Sequence, residues 1–448
     1  MPAVERRDWR PMHDETIRSG AIGPAFEHRV LSAARTLAAI ALITLLVMTL
    51  VPFPMGYEAT PVESSNPVNK YGYAFLAAVA LIAHLLFTDK RVALTLLRPA
   101  WLVLAAWLLL GSLNSIWPDL AFRAALFTLA AMVAATGALS LPPDARAFRL
   151  CLTVMALLVL GLCYFGVLFY PAAAIHQSFE IETQNSGLWR GIYSHKNVAG
   201  QVMAALGFVA VYLWRCGDRK LALLIGLLSF AFAYKTGSKT TLALIPAVIV
   251  IVLAGRVFGS RILPVFLVLA AVTLLGLMTL GSVMSDTLQS VLDWFLPGTT
   301  FTGRSDLWRF TLELMQSRQW LGFGVDSFWP GPIVLTAEPP FELAWDPRGI
   351  VNAHNGYLDL AIAIGWPGLA MGVLVLVLLP MKDYARCVAG RDNQVLADLF
   401  LMILTFMLLN SFLESFLFER GNPSWMLTWM SVVGLRLLAR HRLQQDAA

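Results

Sequence analysis

The sequence predicts an all-α polytopic membrane protein, with about twelve transmembrane helices and one large external loop between the ninth and the tenth. Three observations carry that reading. Of 448 residues, 58% are apolar and only 14% charged, against about 45–50% and about 25% in a soluble globular chain. The mean hydropathy is +0.68. Apolar runs of roughly 20 residues, the length that crosses a hydrocarbon core, recur along the chain. Together they exclude a disordered protein and disfavour a soluble multi-domain enzyme.

The elements follow in order. Residues 1–31 are charged and form an N-terminal segment. The first apolar run is long enough to stay as an anchor rather than be cleaved as a leader. Spans are expected near 32–52, 72–88, 93–113, 120–140, 150–170, 197–214, 219–235, 240–255 and 262–283. The external loop covers 284–353, rich in Trp, Gly and Pro. Three spans near 354–381, 396–416 and 424–439 complete the set, and 440–448 is the tail. Within the loop, residues 304–318 have helical apolar spacing, which predicts an amphipathic helix on the membrane surface. No internal repeat or low-complexity segment is visible.

Charge sets the orientation. With a cytoplasmic N-terminus, 22 of the 33 basic residues, from Arg6 to Arg442, fall on the inside segments. The positive-inside rule predicts that bias and places both termini in the cytoplasm. The same rule explains a net charge of +5 without nucleic acid, for no loop interleaves a basic run with aromatics. The four cysteines show neither disulfide nor zinc spacing. No His/Cys/carboxylate cluster has the spacing of metal ligands, so neither a metal nor another cofactor is expected.

External cations are few, and topology disfavours them, so each needs a reason. Arg190, Lys196, Lys235, Lys239, Arg304, Arg309, Arg318 and Arg348 all fall at or near the outer helix ends. Singly, each reads equally well as a snorkelling or solvated side chain. As a set they point to an anionic substrate, since the Arg fork matches phosphate oxygens. His354 opens an apolar helix, whose partial positive N-terminus favours a neutral ring able to take a proton from a hydroxyl. A capping or interfacial role is the alternative. His195 reads as structural or substrate-positioning. Asp359, just over one turn beyond His354, is placed to orient its ring or to satisfy a neighbouring helix. Glu414 and Glu419 are carboxylates suited to holding an Arg. Thr236-Gly-Ser-Lys-Thr-Thr241 lacks the glycine and strand of a phosphate loop, and Gly322-Phe-Gly324 lacks the setting of a dinucleotide site.

His354-Asn355, nine residues, then Gly365-Trp-Pro-Gly368 resembles the His-containing signature of the O-antigen ligase and polymerase superfamily (Wzy/WaaL type). Arg190-Gly-Ile-Tyr-Ser-His-Lys-Asn197, Gly303-Arg-Ser-Asp-Leu-Trp308 and Trp320-Leu-Gly-Phe-Gly-Val-Asp-Ser-Phe-Trp329 resemble its exopolysaccharide-polymerase (ExoQ-like) branch. The resemblance is strong over roughly residues 180–380. It implies a glycosyltransferase of the bacterial inner membrane, with its site facing the periplasm. The donor would be an undecaprenyl-diphosphate-linked oligosaccharide and the acceptor a sugar hydroxyl. By motif, Arg190 and Arg304 match the arginines that bind the donor diphosphate, and His354 the residue proposed to activate the acceptor. Lys196, Asn197, His195, Lys239, Asn355 and Asp359 are expected around the substrate, with Gly365 and Gly368 as motif glycines. Implied partners are membrane lipids, a flippase and a chain-length regulator. Ligation onto lipid A core or onto protein shares the donor chemistry. Transport is the reading from another class, and it expects paired repeats and midplane ionisable groups that are not seen.

Overall fold

The structure is a computed structural model and describes residues 24–54, 67–180, 182–301, 303–337, 346, 348 and 350–443. Arg6, Arg7, Arg10 and Arg18 of the basic N-terminal segment, part of the large loop and residues 444–448 of the tail lie outside them. Helices dominate, and among the described residues the only extended pairing is an isolated bridge between Ile175 and Trp189.

In chain order the helices are α1 (Pro24–Met48), α2 (Pro67–Phe87), α3 (Lys90–Leu96), α4 (Pro99–Leu113), α5 (Pro118–Ser140) and α6 (Ala145–Phe169). A short α7 (Pro171–Ala174) leads to α8 (Lys196–Cys216), α9 (Arg219–Lys235) and α10 (Lys239–Val257). Then come α11 (Ile262–Gly276), a π turn, α12 (Ser282–Met284), α13 (Asp286–Phe295), α14 (Arg304–Met315) and α15 (Pro332–Leu335). The last are α16 (Gly356–Val373), a π turn, α17 (Leu379–Ala385), α18 (Arg391–Asn410) and α19 (Pro423–Leu438).

Every expected span coincides with helix. Among the described residues, eight helices are long and apolar enough to cross a membrane, and α3 with α4, bent by 50°, makes a ninth if the pair is one span. The remaining expected spans are shorter helices: Tyr71–Phe87, α9 with 17 residues and α19 with 16. The third expected span is broken because Pro99 cannot continue the helix hydrogen bonding that α3 begins. α18 and α19 sit at the centre. Nearly every α18 side chain from Val395 to Asn410 is buried, whereas α10 and α11 face outward.

The two ends of the bundle differ in kind. One is tied by buried carboxylates that each gather two arginines. Asp383 pairs with Arg98 and Arg436, and Asp398 pairs with Arg215 at 2.7 Å and Arg256 at 2.8 Å. These arginines belong to the set read from sequence as cytoplasmic. The ends of α6, α9 and α18 and the starts of α8, α10, α16 and α19 gather at the opposite end.

The expectation for 304–318 is corrected. α14 does not lay its apolar face on lipid. Trp308 is fully buried and packs with Phe323, Phe328, Leu358 and Ile362 in a second core, its indole N–H donating to Ala353 O at 2.9 Å.

Candidate functional site

The site begins where α16 is broken. Pro367 has no N–H, so the Ala363 carbonyl lacks a helical partner, and Gly365 is held at φ +74° inside the helix. The loop 319–324 replaces the lost bonds. Gly324 N donates to Ala363 O at 3.0 Å, Phe323 N to Ile362 O at 2.8 Å, and Trp366 N to Gln319 O at 2.9 Å. The Trp107 indole donates to Ile364 O at 2.9 Å. Backbone that is irregular within an apolar bundle persists only when it is satisfied this way. Gly322 and Gly324, at φ +72° and +90°, let the loop approach so closely. The Gly-Phe-Gly segment is therefore packing chemistry, and Gly365 of the Gly-Trp-Pro-Gly motif is its receiver.

At its other end α16 presents His354. Asn355 caps the helix, its Oδ1 accepting from Tyr357 N and Leu358 N at 3.1 Å each, and its Nδ2 donates to Phe412 O at 3.1 Å. It is fully buried, and its side chain fixes the turn. Asp359 is likewise spent on its surroundings, the second of the two roles its position allows. It accepts from the Trp329 indole at 2.9 Å, from Ala353 N at 3.0 Å and from the Ser415 hydroxyl. The carboxylate holds the backbone before His354 rather than the ring. His354 itself lies outside the helix at φ +49°, its ring 42% exposed and Nδ1 3.9 Å from Glu414 Oε2.

Glu414 is where the distant segments meet. It lies in the turn after α18, which docks on α16 through Gly356 N donating to Ser411 O at 2.7 Å. Its Oε1 accepts from Asn197 Nδ2 at 2.9 Å and from Arg304 Nη2 at 3.2 Å. Arg304 also donates to Leu413 O. Burial opposes ionisation of Glu414, but His354 and Arg304 outweigh it and hold its carboxyl below the ordinary range. Lys196, half-buried at the start of α8, lies within electrostatic reach of Glu414, Glu182 and Arg304.

Arg190 stands apart from Arg304. It is 2% exposed, with Nε donating to Ala173 O at 2.7 Å and Nη2 3.0 Å from Glu180 Oε1. The other Glu180 oxygen is 2.7 Å from His176 Nδ1. Because His176 Nε2 accepts from Lys196 N at 3.2 Å, the ring carries its proton on Nδ1 and gives it to Glu180. Burial lowers the pKa of His176, Arg190 and His195 adding to the effect against Glu180. His195 caps α8, its Nδ1 accepting from Asn197 N at 3.2 Å, while Nε2 is 3.0 Å from Glu182. That hydrogen bond holds the Glu182 carboxyl below its ordinary range despite partial burial. The two imidazoles meet edge to face at 5.2 Å. Arg190 thus reaches the cluster through Glu180, His176 and His195.

The remaining external cations disperse. Lys239 is exposed at the start of α10, and Lys235 lies 5.9 Å over the Trp189 ring. Arg309 bonds Asp306 and Gln289, Arg318 donates to Asn114 O at 2.6 Å, and Arg348 pairs with Asp346. Sequence reasoning passed over His176, Glu180 and Glu182. Their signal was the density of His and Glu between residues 176 and 195, in a loop bounded by apolar helices.

These segments are those in which the resemblance resides, and the comparison with known families covers part of them. Residues 221–373 match the family model described as O-antigen ligase. That segment belongs to the O-antigen ligase and polymerase superfamily. The ligase-type domain runs from α9 through α16 and so contains Lys239, Arg304, His354 and both motif glycines. Glu414 and the 171–197 segment come from outside it, so the cluster is assembled from the domain and its flanking helices. No curated protein matches the chain. The chain is a multi-pass membrane protein, and its matched segment supports a function of O-antigen ligase or polymerase type.

Proposed function

We propose that this protein is a polysaccharide polymerase. It transfers an undecaprenyl-diphosphate-linked glycan to a sugar hydroxyl at the terminus of an acceptor repeat unit, on the periplasmic face of the bacterial inner membrane. The observation that supports the reading is the convergence on Glu414 of Arg304, His354 and Asn197. Those residues come from separate segments and meet at the bundle end opposite the arginine-rich one. If that arginine-rich end is cytoplasmic, as the positive-inside rule directs, both termini are cytoplasmic and the cluster faces the periplasm.

In this reading the partly exposed Arg304 and Lys196 hold the donor diphosphate. The acceptor oxygen attacks the anomeric carbon as the bond from that carbon to the diphosphate oxygen breaks. The acceptor proton passes to His354, whose new positive charge faces Glu414, and the diphosphate departs on its lipid. Two cations placed where the leaving charge develops do the work that a metal does elsewhere. Displacement in one step inverts the anomeric centre, and retention seen by NMR of donor and product linkages overturns that step.

Ligation is the second reading, favoured by the description of the matched family. One experiment separates the two: delete the gene, and size the glycan on undecaprenyl diphosphate by mass spectrometry, beside a His354→Ala strain. Single repeat units in both strains support the polymerase. Long chains left on the lipid support a ligase. A wild-type profile in His354→Ala removes the proposed base.

A further inference from the structure

A cavity of about 300 Å³ opens on the outer side of the bundle between α8, α9 and α10. Ligand pockets run about 300–1,000 Å³. Its walls are apolar, built from Met203, Val211 and Trp214 of α8, Phe230 of α9, and Ile245 and Ile249 of α10. Small residues make the space. A Cβ added to Gly207 would meet only the Ser229 hydroxyl, at 3.7 Å, and one added to Gly226 only Ala210 Cβ, at 3.4 Å. On the third wall, Pro246 removes one helical hydrogen bond from α10 beside Ile245.

The groove is in register with the site. Along α8, positions 196, 200, 203, 207, 210, 211 and 214 follow the three-and-four spacing of one helix face. Lys196, in the Glu414 cluster, therefore heads the face whose lower turns line the cavity. At about 1.5 Å per residue, Met203 is about 10 Å and Trp214 about 27 Å below Lys196 along the axis. That interval fits within a hydrocarbon core about 30 Å thick. Lys239, first residue of α10, stands exposed above the opposite wall.

We propose that this groove holds the long lipid chain of an anionic polyprenyl-phosphate donor, with the phosphates at the Lys196 end. The inference rests on the lipid-linked donor of the proposed function and assigns the donor's chain a seat. A cation at the top and an apolar channel below, on one helix, complement a ligand that is charged at one end and apolar for the rest of its length. A second copy of the chain pressed on this face would bury the apolar walls too, but would make no use of Lys196 and the exposed Lys239 at their upper end.

The test uses the full-length protein in nanodiscs and a polyprenyl monophosphate carrying a photoreactive group in its chain. Labelling is expected on peptides containing 203–214, 222–230 or 245–249. Unlabelled polyprenyl monophosphate should compete and phospholipid should not. Gly207→Phe, which fills open space, should cut labelling at least about tenfold. In transfer assays it should raise KM for a long-chain donor about tenfold, leaving a short-chain donor unaffected. Ile249→Trp, at the mouth, should act alike. Labelling of other helices, equal competition by phospholipid, equal losses with both donors, or an α8–α9 crosslink between copies that the lipid does not displace each overturn the proposal. If the wild type transfers from no lipid diphosphate, the proposed function falls, while the labelling still decides whether the groove binds the chain.

Discussion

Asn197 donates from Nδ2 to Glu414 Oε1 at 2.9 Å, joining the first turn of α8 to the turn that follows α18. The same oxygen accepts from Arg304, and its neighbour faces His354. Glu414→Gln keeps a carbonyl oxygen for Asn197 but loses the charge that faces His354 and Arg304. Transfer should fall at least about a hundredfold, within the roughly 10²–10⁴ range of a disabled acid–base pair, with little change in melting temperature. Asn197→Asp sets two carboxylates against each other and should lower activity and stability together. Steady-state kinetics beside a melting curve measure both; a Glu414→Gln protein with wild-type kcat would remove Glu414 from the mechanism.

The two arginines expected to share the diphosphate should separate under substitution. Arg304 is partly open and anchored at its rim, so Arg304→Ala should abolish transfer yet leave a folded protein. Arg190 is enclosed with Glu180, and Arg190→Ala leaves a buried carboxylate without its cation and, among the described residues, with only His176 as a donor, a loss on the order of 3–5 kcal/mol. That protein should melt earlier, and Glu180→Gln added to it should recover part of the stability. A double variant as unstable as Arg190→Ala alone would show that the pair is not what holds the 171–196 segment.

The fold was legible because its determinants are local: run length and basic residues read along the chain. The site was legible only in part. Arg304 and His354 could be named by motif, but Glu414 reaches them through a turn about 60 residues beyond His354, and no local pattern marks that pairing. Asn355 and Asp359 are marked in the sequence only by their place beside His354. The structure gives both to the backbone around it, since a broken helix in an apolar bundle needs every nearby polar group for its own backbone. Arg190 shows the same limit, since Glu180, its buried partner ten residues upstream, is marked only by the density of His and Glu in that loop and not by any pattern that pairs the two.

Gly365 offers a test of the broken helix apart from catalysis. A Cβ at this position would collide with the Trp320 carbonyl, and its φ of +74° alone costs a side chain about 1–3 kcal/mol. Gly365→Ala should therefore lower the melting temperature and disturb the 319–324 loop. Gly368→Ala also meets Ile364, at its Cβ and Cγ1, but keeps an ordinary helical φ, so it should cost less. Equal melting of Gly365→Ala and wild type would contradict the docking of loop 319–324 on α16.

The His176 network predicts a pH dependence whose sign is fixed. Burial sets its folded pKa below the ordinary value of 6.5, so between those two values the unfolded chain binds more protons than the folded one. Stability then rises with pH across that window and is fully present above about 6.5. Acidification below pH 6.5 should loosen the 171–196 segment as protonation of Nε2 breaks its bond from Lys196 N. His176→Asn, which keeps an amide donor toward Glu180 and cannot take up a proton, should lose this part of the pH dependence while melting earlier at pH 7.5. Melting curves from pH 5 to 8 for both proteins decide it: parallel slopes would mean that His176 is not the group that senses acid.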